Sequence, residues 1–117
     1  MSQDADRLRA AFESRQLHRL IELMDPQVTW RGVRRPGEEV ALCHDRAEVR
    51  EVMARAIERG VDGRPLVVAE SGDSIVIDPQ ASPPATELHQ VFTFRGGRVV
   101  LIQDYADRAS AMAAIAP

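Results

Sequence analysis

The sequence predicts an α+β domain in which helices pack against an antiparallel sheet. Three observations carry this. Apolar residues recur at helical spacing from Leu8 to Met24 and again between Asp45 and Arg59. From Leu66 onward the chain turns into short β-branched and aromatic runs separated by Gly and Pro turns. No helical pattern separates these later runs, so alternating parallel βαβ units do not fit, whereas helices on one face of an antiparallel sheet do.

Taken in order, Leu8, Ala11 and Phe12 share one helical face. The pattern breaks at Ser14-Arg15-Gln16 and restarts in a new phase with Leu17, Leu20, Ile21 and Met24. A helix, a kink and a second short helix ending at Asp25-Pro26 are expected. Val28-Thr29-Trp30 suits a short strand, Arg34 to Gly37 a turn, and Glu39 to Cys43 a second strand. Asp45 and Glu48 form a capping-box pair at the start of a helix that runs to Arg59, where Gly60 stops it. That helix carries an apolar stripe of Val49, Val52, Met53, Ala56 and Ile57, with Glu51 and Arg55 spaced to pair on the wet side. Strands are expected over Leu66 to Glu70 and Ile75 to Ile77 around a Gly72-Asp73 turn. The Pro-rich stretch from Asp78 to Pro84 is a loop. Glu87 to Phe94 and Val99 to Tyr105 flank Gly96-Gly97 as a hairpin, and Asp107 caps a final helix through Ile115.

At 117 residues the chain fits one domain, spanning 1–117, with a core that needs no disulfide or metal. A net charge of -3 gives no electrostatic footprint for nucleic acid. No apolar run approaches the ~20 residues of a membrane span. The start of the sequence has no basic-then-apolar leader pattern, so a cytoplasmic location is expected. Cys43 is the lone cysteine. Every basic residue is Arg, and neither Lys nor Asn occurs. That excludes Schiff-base chemistry on a lysine and points to a GC-rich bacterial genome. No cofactor is expected. Metal binding is not expected either, because His18, His44, His89 and Cys43 lack paired ligand spacing. There is no Gly-x-Ser-x-Gly elbow and no phosphate-cradling glycine loop.

Three stretches resemble the nuclear transport factor 2-like superfamily, and within it small SnoaL-like proteins. Leu23 to Trp30 is similar to the family's helix-to-strand entry. Cys43-His44-Asp45-Arg46-Ala47-Glu48-Val49 resembles its His-Gly-Arg-Glu helix start, with Asp45 where Gly is usual. Val91 to Val99, continued by Gln103 to Arg108, resembles its last hairpin and tail. The resemblance implies a curved antiparallel sheet wrapped around the N-terminal helices into a cone, a small-molecule pocket in that cone, and a homodimer through the outer sheet face. Family activities include ketosteroid isomerisation, polyketide cyclisation and epoxide hydrolysis. The ketosteroid isomerase base falls on Arg31, its oxyanion tyrosine on Leu8 and its oxyanion aspartate on Gln90, so that catalytic set is absent here. An Asp–Arg pair of the epoxide-hydrolase kind has candidates in Asp104 and Arg31.

Strand alternation sorts the hairpin residues onto two faces. Leu88, Gln90, Phe92 and Phe94 are the more apolar set and are expected to face the helices. A three-residue loop, Arg95-Gly96-Gly97, pairs Phe92 with Val100, Gln90 with Ile102 and Leu88 with Asp104. A two-residue Gly96-Gly97 loop turns Leu101, Gln103 and Tyr105 inward instead. The resemblance favours the longer loop. The expected wall is then Leu88, Gln90, Phe92, Val100, Ile102 and Asp104, closed by Phe12, Trp30 and Met53. A carboxylate in such a wall has a raised pKa suited to acid or base work, and Arg31 would steady an anionic intermediate. The competing reading is that Asp104 sits near the sheet end and pairs with an arginine or caps a turn. His89 falls on the outer face. Val91, Val99, Leu101 and Tyr105 form an apolar outer patch, which a dimer would cover. Two functions stay open: an acid/base isomerase, cyclase or hydrolase, and a non-catalytic binding or dimerisation module.

Overall fold

The computed structural model describes residues 2–35, 38–60, 62–82 and 89–116. Helix α1 (Gln3–Ser14) begins where Ser2 Oγ accepts from the Ala5 backbone N–H, an N-cap. Arg15 then adopts a left-handed conformation, φ 56° and ψ 25°, and the chain re-enters a helix as α2 (Leu17–Glu22). The break thus falls where the apolar spacing changed phase. Helix α2 is shorter than expected: Met24, Asp25 and Pro26 already belong to strand β1 (Met24–Arg35). The apolar run through Met24 serves a strand whose first residue is fully buried.

Strand β2 (Glu38–Cys43) pairs back on β1. Helix α3 (Arg46–Glu58) starts at Asp45, which accepts from Glu48 N–H at 2.9 Å. Glu48 reaches back to the His44 N–H at 3.3 Å, completing the reciprocal cap. Glu51 and Arg55 pair on the wet face. Strands β4 (Leu66–Ser71), β5 (Ser74–Asp78), β7 (His89–Arg95) and β8 (Arg98–Tyr105) follow, then α4 (Arg108–Ile115) capped by Asp107. Two-residue strands β3 (Asp62–Gly63) and β6 (Ala81–Ser82) form a separate small bridge that the sequence did not announce.

The main sheet is open and six-stranded, in the order β2-β1-β8-β7-β5-β4. All neighbours are antiparallel except β1 and β8, which run parallel. The expected purely antiparallel sheet is therefore mixed. Its centre joins the first long strand to the last, and a connection of that length leaves either direction open. The inner face carries the main core: Leu8, Val28, Trp30, Val49, Ile75, Ile77, Phe92, Phe94, Val99 and Ile102 among its members.

Helix α4 does not join α1 to α3. It lies on the outer face, where Ala111 and Ile115 pack with Val76 and Val91. Strand alternation turns Val76 and Val91 away from the inner core, and the i,i+4 pair on α4 removes them from water. This corrects the expectation that the helices share one face. It also takes two residues out of the expected outer apolar patch: Val91 is covered, and Val99 is fully buried in the inner core.

The β7–β8 hairpin decides the site. Its loop has two residues, Gly96 and Gly97, at φ 59° and 78°. Both left-handed angles match the tight hairpin turn that suits glycine. Arg95 pairs with Arg98 and Phe94 with Val99; then a bulge skips Val100, and Thr93 pairs with Leu101. Beyond it Phe92 pairs with Ile102 and Gln90 with Asp104. The three-residue loop and its pairs Phe92–Val100 and Gln90–Ile102 are thus incorrect; Leu88, expected to pair with Asp104, lies outside the described residues. Gln90, Phe92, Ile102 and Asp104 nevertheless stay on the expected face, whereas Val99, expected outside, is buried in the inner core. The short loop shifts the register by one and the bulge by one more, and two residues is one full strand period.

Candidate functional site

Asp104, Trp30 and Gln90 sit on three adjacent strands, β8, β1 and β7, and point to the inner face. Trp30 Nε1 donates to Asp104 Oδ1 at 2.9 Å, and Gln90 Nε2 donates to the same oxygen at 3.0 Å. Asp104 is 6% exposed and Trp30 9%. Burial pushes the Asp104 carboxyl above the usual carboxylate range, while the Trp30 and Gln90 hydrogen bonds pull it part of the way back. The indole N–H can only donate, so Oδ1 is held as an acceptor and a proton taken up by this carboxyl sits on Oδ2.

In front of this triad a cavity of about 330 Å³ opens between the helices and the sheet. Phe12 of α1, Leu17 and Leu20 of α2, and Met53, Ala56 and Ile57 of α3 form its helical side. Gln90 and Phe92 form its floor, and Gly63 and Pro65 its far rim. Phe12 and Phe92 meet edge to face, centroids 6.1 Å apart. Along the apolar stripe of α3, only Val49 is fully buried, and Ile57 is 57% exposed. The lower half of that stripe therefore faces the cavity instead of protein.

The expected site residues divide as follows. Phe12, Met53, Gln90 and Phe92 line the cavity. Trp30 and Asp104 form the polar layer behind Gln90. Ile102 is fully buried core beneath it. Val100 is the bulge residue and does not belong to the wall, because the bulge takes it out of the alternation. Leu88 lies outside the described residues. Arg31 does not join Asp104: it is exposed, one residue past the inward Trp30, and the groups that set the Asp104 carboxyl are Trp30 and Gln90. The Asp–Arg pair is thus replaced by an Asp–Trp–Gln triad. The sequence reading missed Leu17, Leu20, Ile57 and Pro65 as lining residues. The helical phase held a signal for the first three, but only the kink at Arg15 aims α2 at the cavity. His89 does face outward, yet it is 5% exposed, with Nε2 3.9 Å from Asp78 Oδ2.

Among the described residues no three His, Cys, Asp or Glu side chains gather as a metal site. Cys43 is buried, and burial followed by Glu48 and Asp45 raises its thiol, which disfavours the reactive thiolate. Among the described residues no helix is long and apolar enough to cross a membrane.

A SnoaL-like domain model matches residues 5–102. The chain belongs to the SnoaL-like family. Solved structures agree on the fold of this SnoaL-like chain. It is similar to a nuclear transport factor 2-like protein of unknown function from Burkholderia pseudomallei K96243, at 22% identity over 100% of each chain and a TM-score of 0.64. It is also similar to a proposed polyketide cyclase from Sinorhizobium meliloti, at 15% identity, covering 90% of this chain and 95% of that one, with a TM-score of 0.65. A third similar structure is TerC co-crystallised with polyporic acid, at 18% identity, 97% and 95% coverage and a TM-score of 0.60. No curated protein matches the chain in sequence. At the positions that resemblance assigns to ketosteroid isomerase chemistry, this SnoaL-like chain has an exposed Arg31, a fully buried Leu8 and a cavity-lining Gln90.

Proposed function

We propose that this SnoaL-like chain is an acid/base enzyme for a small, largely apolar substrate, of the isomerase, cyclase or epoxide-hydrolase type. The observation that carries it is the buried Asp104 carboxyl, anchored through one oxygen by Trp30 and Gln90 immediately behind an open apolar cavity. A carboxyl whose affinity for a proton is raised is a better base than an ordinary aspartate and a usable acid nearer neutrality. Trp30 and Gln90 fix its plane, so the proton is exchanged at Oδ2. A substrate seated against Phe12, Phe92 and Met53 would cover the apolar surface that α3 leaves open. The likeness to a proposed polyketide cyclase and to a protein co-crystallised with polyporic acid fits a ring-bearing substrate.

The test is turnover of generic enone, epoxide and poly-β-ketone substrates by the wild type and by Asp104→Asn. A drop of about 10²-fold or more is expected from losing the proton-transfer group. Full turnover in Asp104→Asn would end the acid/base role. One observation favours a second reading, a binding module without catalysis: Gln90, not Asp104, forms the cavity floor. Tight binding with no turnover of any substrate class would select it. The same proposal includes a homodimer through the outer face of the sheet. Light scattering that gives only 13.0 kDa would refute the dimer.

A further inference from the structure

A second cavity of about 530 Å³ adjoins the first and shares Phe12, Arg15 and Pro65 with it. Its character is different. Arg9, Arg15 and Arg64 border it, against Glu13 as the one acidic residue of its lining; Arg9 also pairs with Asp6 at 3.3 Å, and Arg15 and Arg64 are the cations the mouth presents to a ligand. The chain as a whole is acidic, with a net charge of -3, so this mouth runs against the overall balance. The inner chamber has the opposite arrangement. It is apolar, and the Asp104 carboxyl lies just behind its floor, where a second negative group would be repelled.

Arg15 stands at the junction of the two chambers and does so at a cost to its backbone. Its φ of 56° is left-handed, a conformation that favours Gly or Asn at the end of a helix. Arg15 and Gln80 are the only non-glycine residues with positive φ among those described. Two carbonyls of this helix end are engaged locally: Phe12 O accepts from the Arg15 N–H, and Ala11 O from Ser14 Oγ at 2.7 Å. A side chain kept where glycine would relieve strain marks a site where the side chain itself is used. A guanidinium is suited to carboxylates and other planar oxyanions because it donates two parallel N–H bonds.

We propose that the ligand of this cone is an amphiphilic anion, with an apolar ring or chain among Phe12, Phe92 and Met53 and a carboxylate or enolate oxygen held outside by Arg15 and Arg64. The inference rests on the same cavity as the proposed function and adds the ligand's class and direction. The acid end points to the mouth. The uncharged end lies on Gln90, next to the Asp104 carboxyl, which makes that end the one open to proton transfer.

A matched pair of probes tests this: 2-naphthoate and the neutral 2-naphthalenemethanol, titrated calorimetrically into the full chain near neutral pH. In low salt the carboxylate binds about tenfold tighter, the advantage expected from charge-assisted hydrogen bonds. At about 0.5 M NaCl the advantage shrinks, because the arginines are exposed and screened. In the double variant Arg15→Gln/Arg64→Gln the carboxylate falls to the affinity of the alcohol, and the alcohol's affinity is unchanged. Circular dichroism matching the wild type certifies that the double variant is folded. Should that variant fail to fold, Arg64→Gln alone, in an exposed loop residue, lowers the carboxylate's affinity and leaves the alcohol's intact. Equal affinity of the two probes for the wild type would overturn the inference while leaving the cavity reading in place. So would a carboxylate preference that survives removal of the arginines. Binding of neither probe would overturn both.

Discussion

Replacing Trp30 by Phe isolates the contact that makes Asp104 unusual. The ring remains and the N–H donor to Oδ1 at 2.9 Å is lost. Where Asp104 is ionised in the fold, that bond is charge-assisted and contributes about 1.5–3 kcal/mol; where the carboxyl is neutral, about 0.5–1.5 kcal/mol. For a chain of this size about 4 °C of Tm accompanies each kcal/mol, so a loss of about 6–12 °C is expected above the folded pKa of Asp104. The small volume lost from indole to phenyl adds a packing cost that does not depend on pH, so the difference between pH values reports the hydrogen bond alone. The direction follows from linkage. Burial already holds the folded pKa of Asp104 above its unfolded value of about 3.9. Asp104 therefore favours the fold most below that value and loses this contribution as pH rises through the folded pKa. Removing a donor that stabilises the anion raises the folded pKa further and makes the decline with pH steeper. Circular dichroism melts at about pH 4 and pH 8 read the stability, and carboxyl-carbon NMR reads the titration. An equal loss at both pH values, or an Asp104 pKa that falls in Trp30→Phe, would refute the reasoning.

Other expectations follow from the same geometry. Asp104→Asn keeps an acceptor for Trp30 and Gln90 but cannot ionise. Its stability relative to the wild type rises with pH through the Asp104 titration, and a constant offset in urea unfolding would contradict this. Glu70 accepts from Ser2 N–H at 3.0 Å and Ser2 Oγ at 2.8 Å, contacts that lower its carboxyl and tie α1 to β4. That tie is present above the unfolded Glu pKa and is lost as pH falls through the lower folded one, so Glu70→Gln and wild type converge in Tm at acid pH. Gly97→Ala costs about 1–2 kcal/mol, since φ is 78° and an added Cβ would lie 3.2 Å from Arg7 Nη1, measured as a lower urea midpoint. Phe92→Ala costs about 3–5 kcal/mol, because this ring is 1% exposed and fills both core and cavity floor. A loss under about 1 kcal/mol would show that the floor collapses around it.

How much was legible in the sequence can be followed along β7 and β8. Alternation alone placed Gln90 and Phe92 on the apolar side, because side chains on a strand change faces at every residue. The Gly96-Gly97 turn was visible too. The bulge at Val100 was not, since nothing in Val99-Val100-Leu101 distinguishes a regular ladder from one that skips a residue. Gln90, Phe92, Ile102 and Asp104 share the expected face because two register changes add up to one strand period, while Val100 drops out at the bulge.

Caps and breaks were determined by the chain itself. Asp45 and Glu48, the change of helical phase around Arg15, and the cap at Asp107 all act within a few residues, where local hydrogen bonds decide. Tertiary structure decided what meets what. It ran β1 parallel to β8, which sets the Trp30 indole over Asp104 and leaves Arg31 exposed. It laid α4 on the outer face over Val91, and it turned α2 at Arg15 so that two chambers share one mouth. Those outcomes depend on contacts between residues far apart in the chain, and no spacing within a single element encodes them.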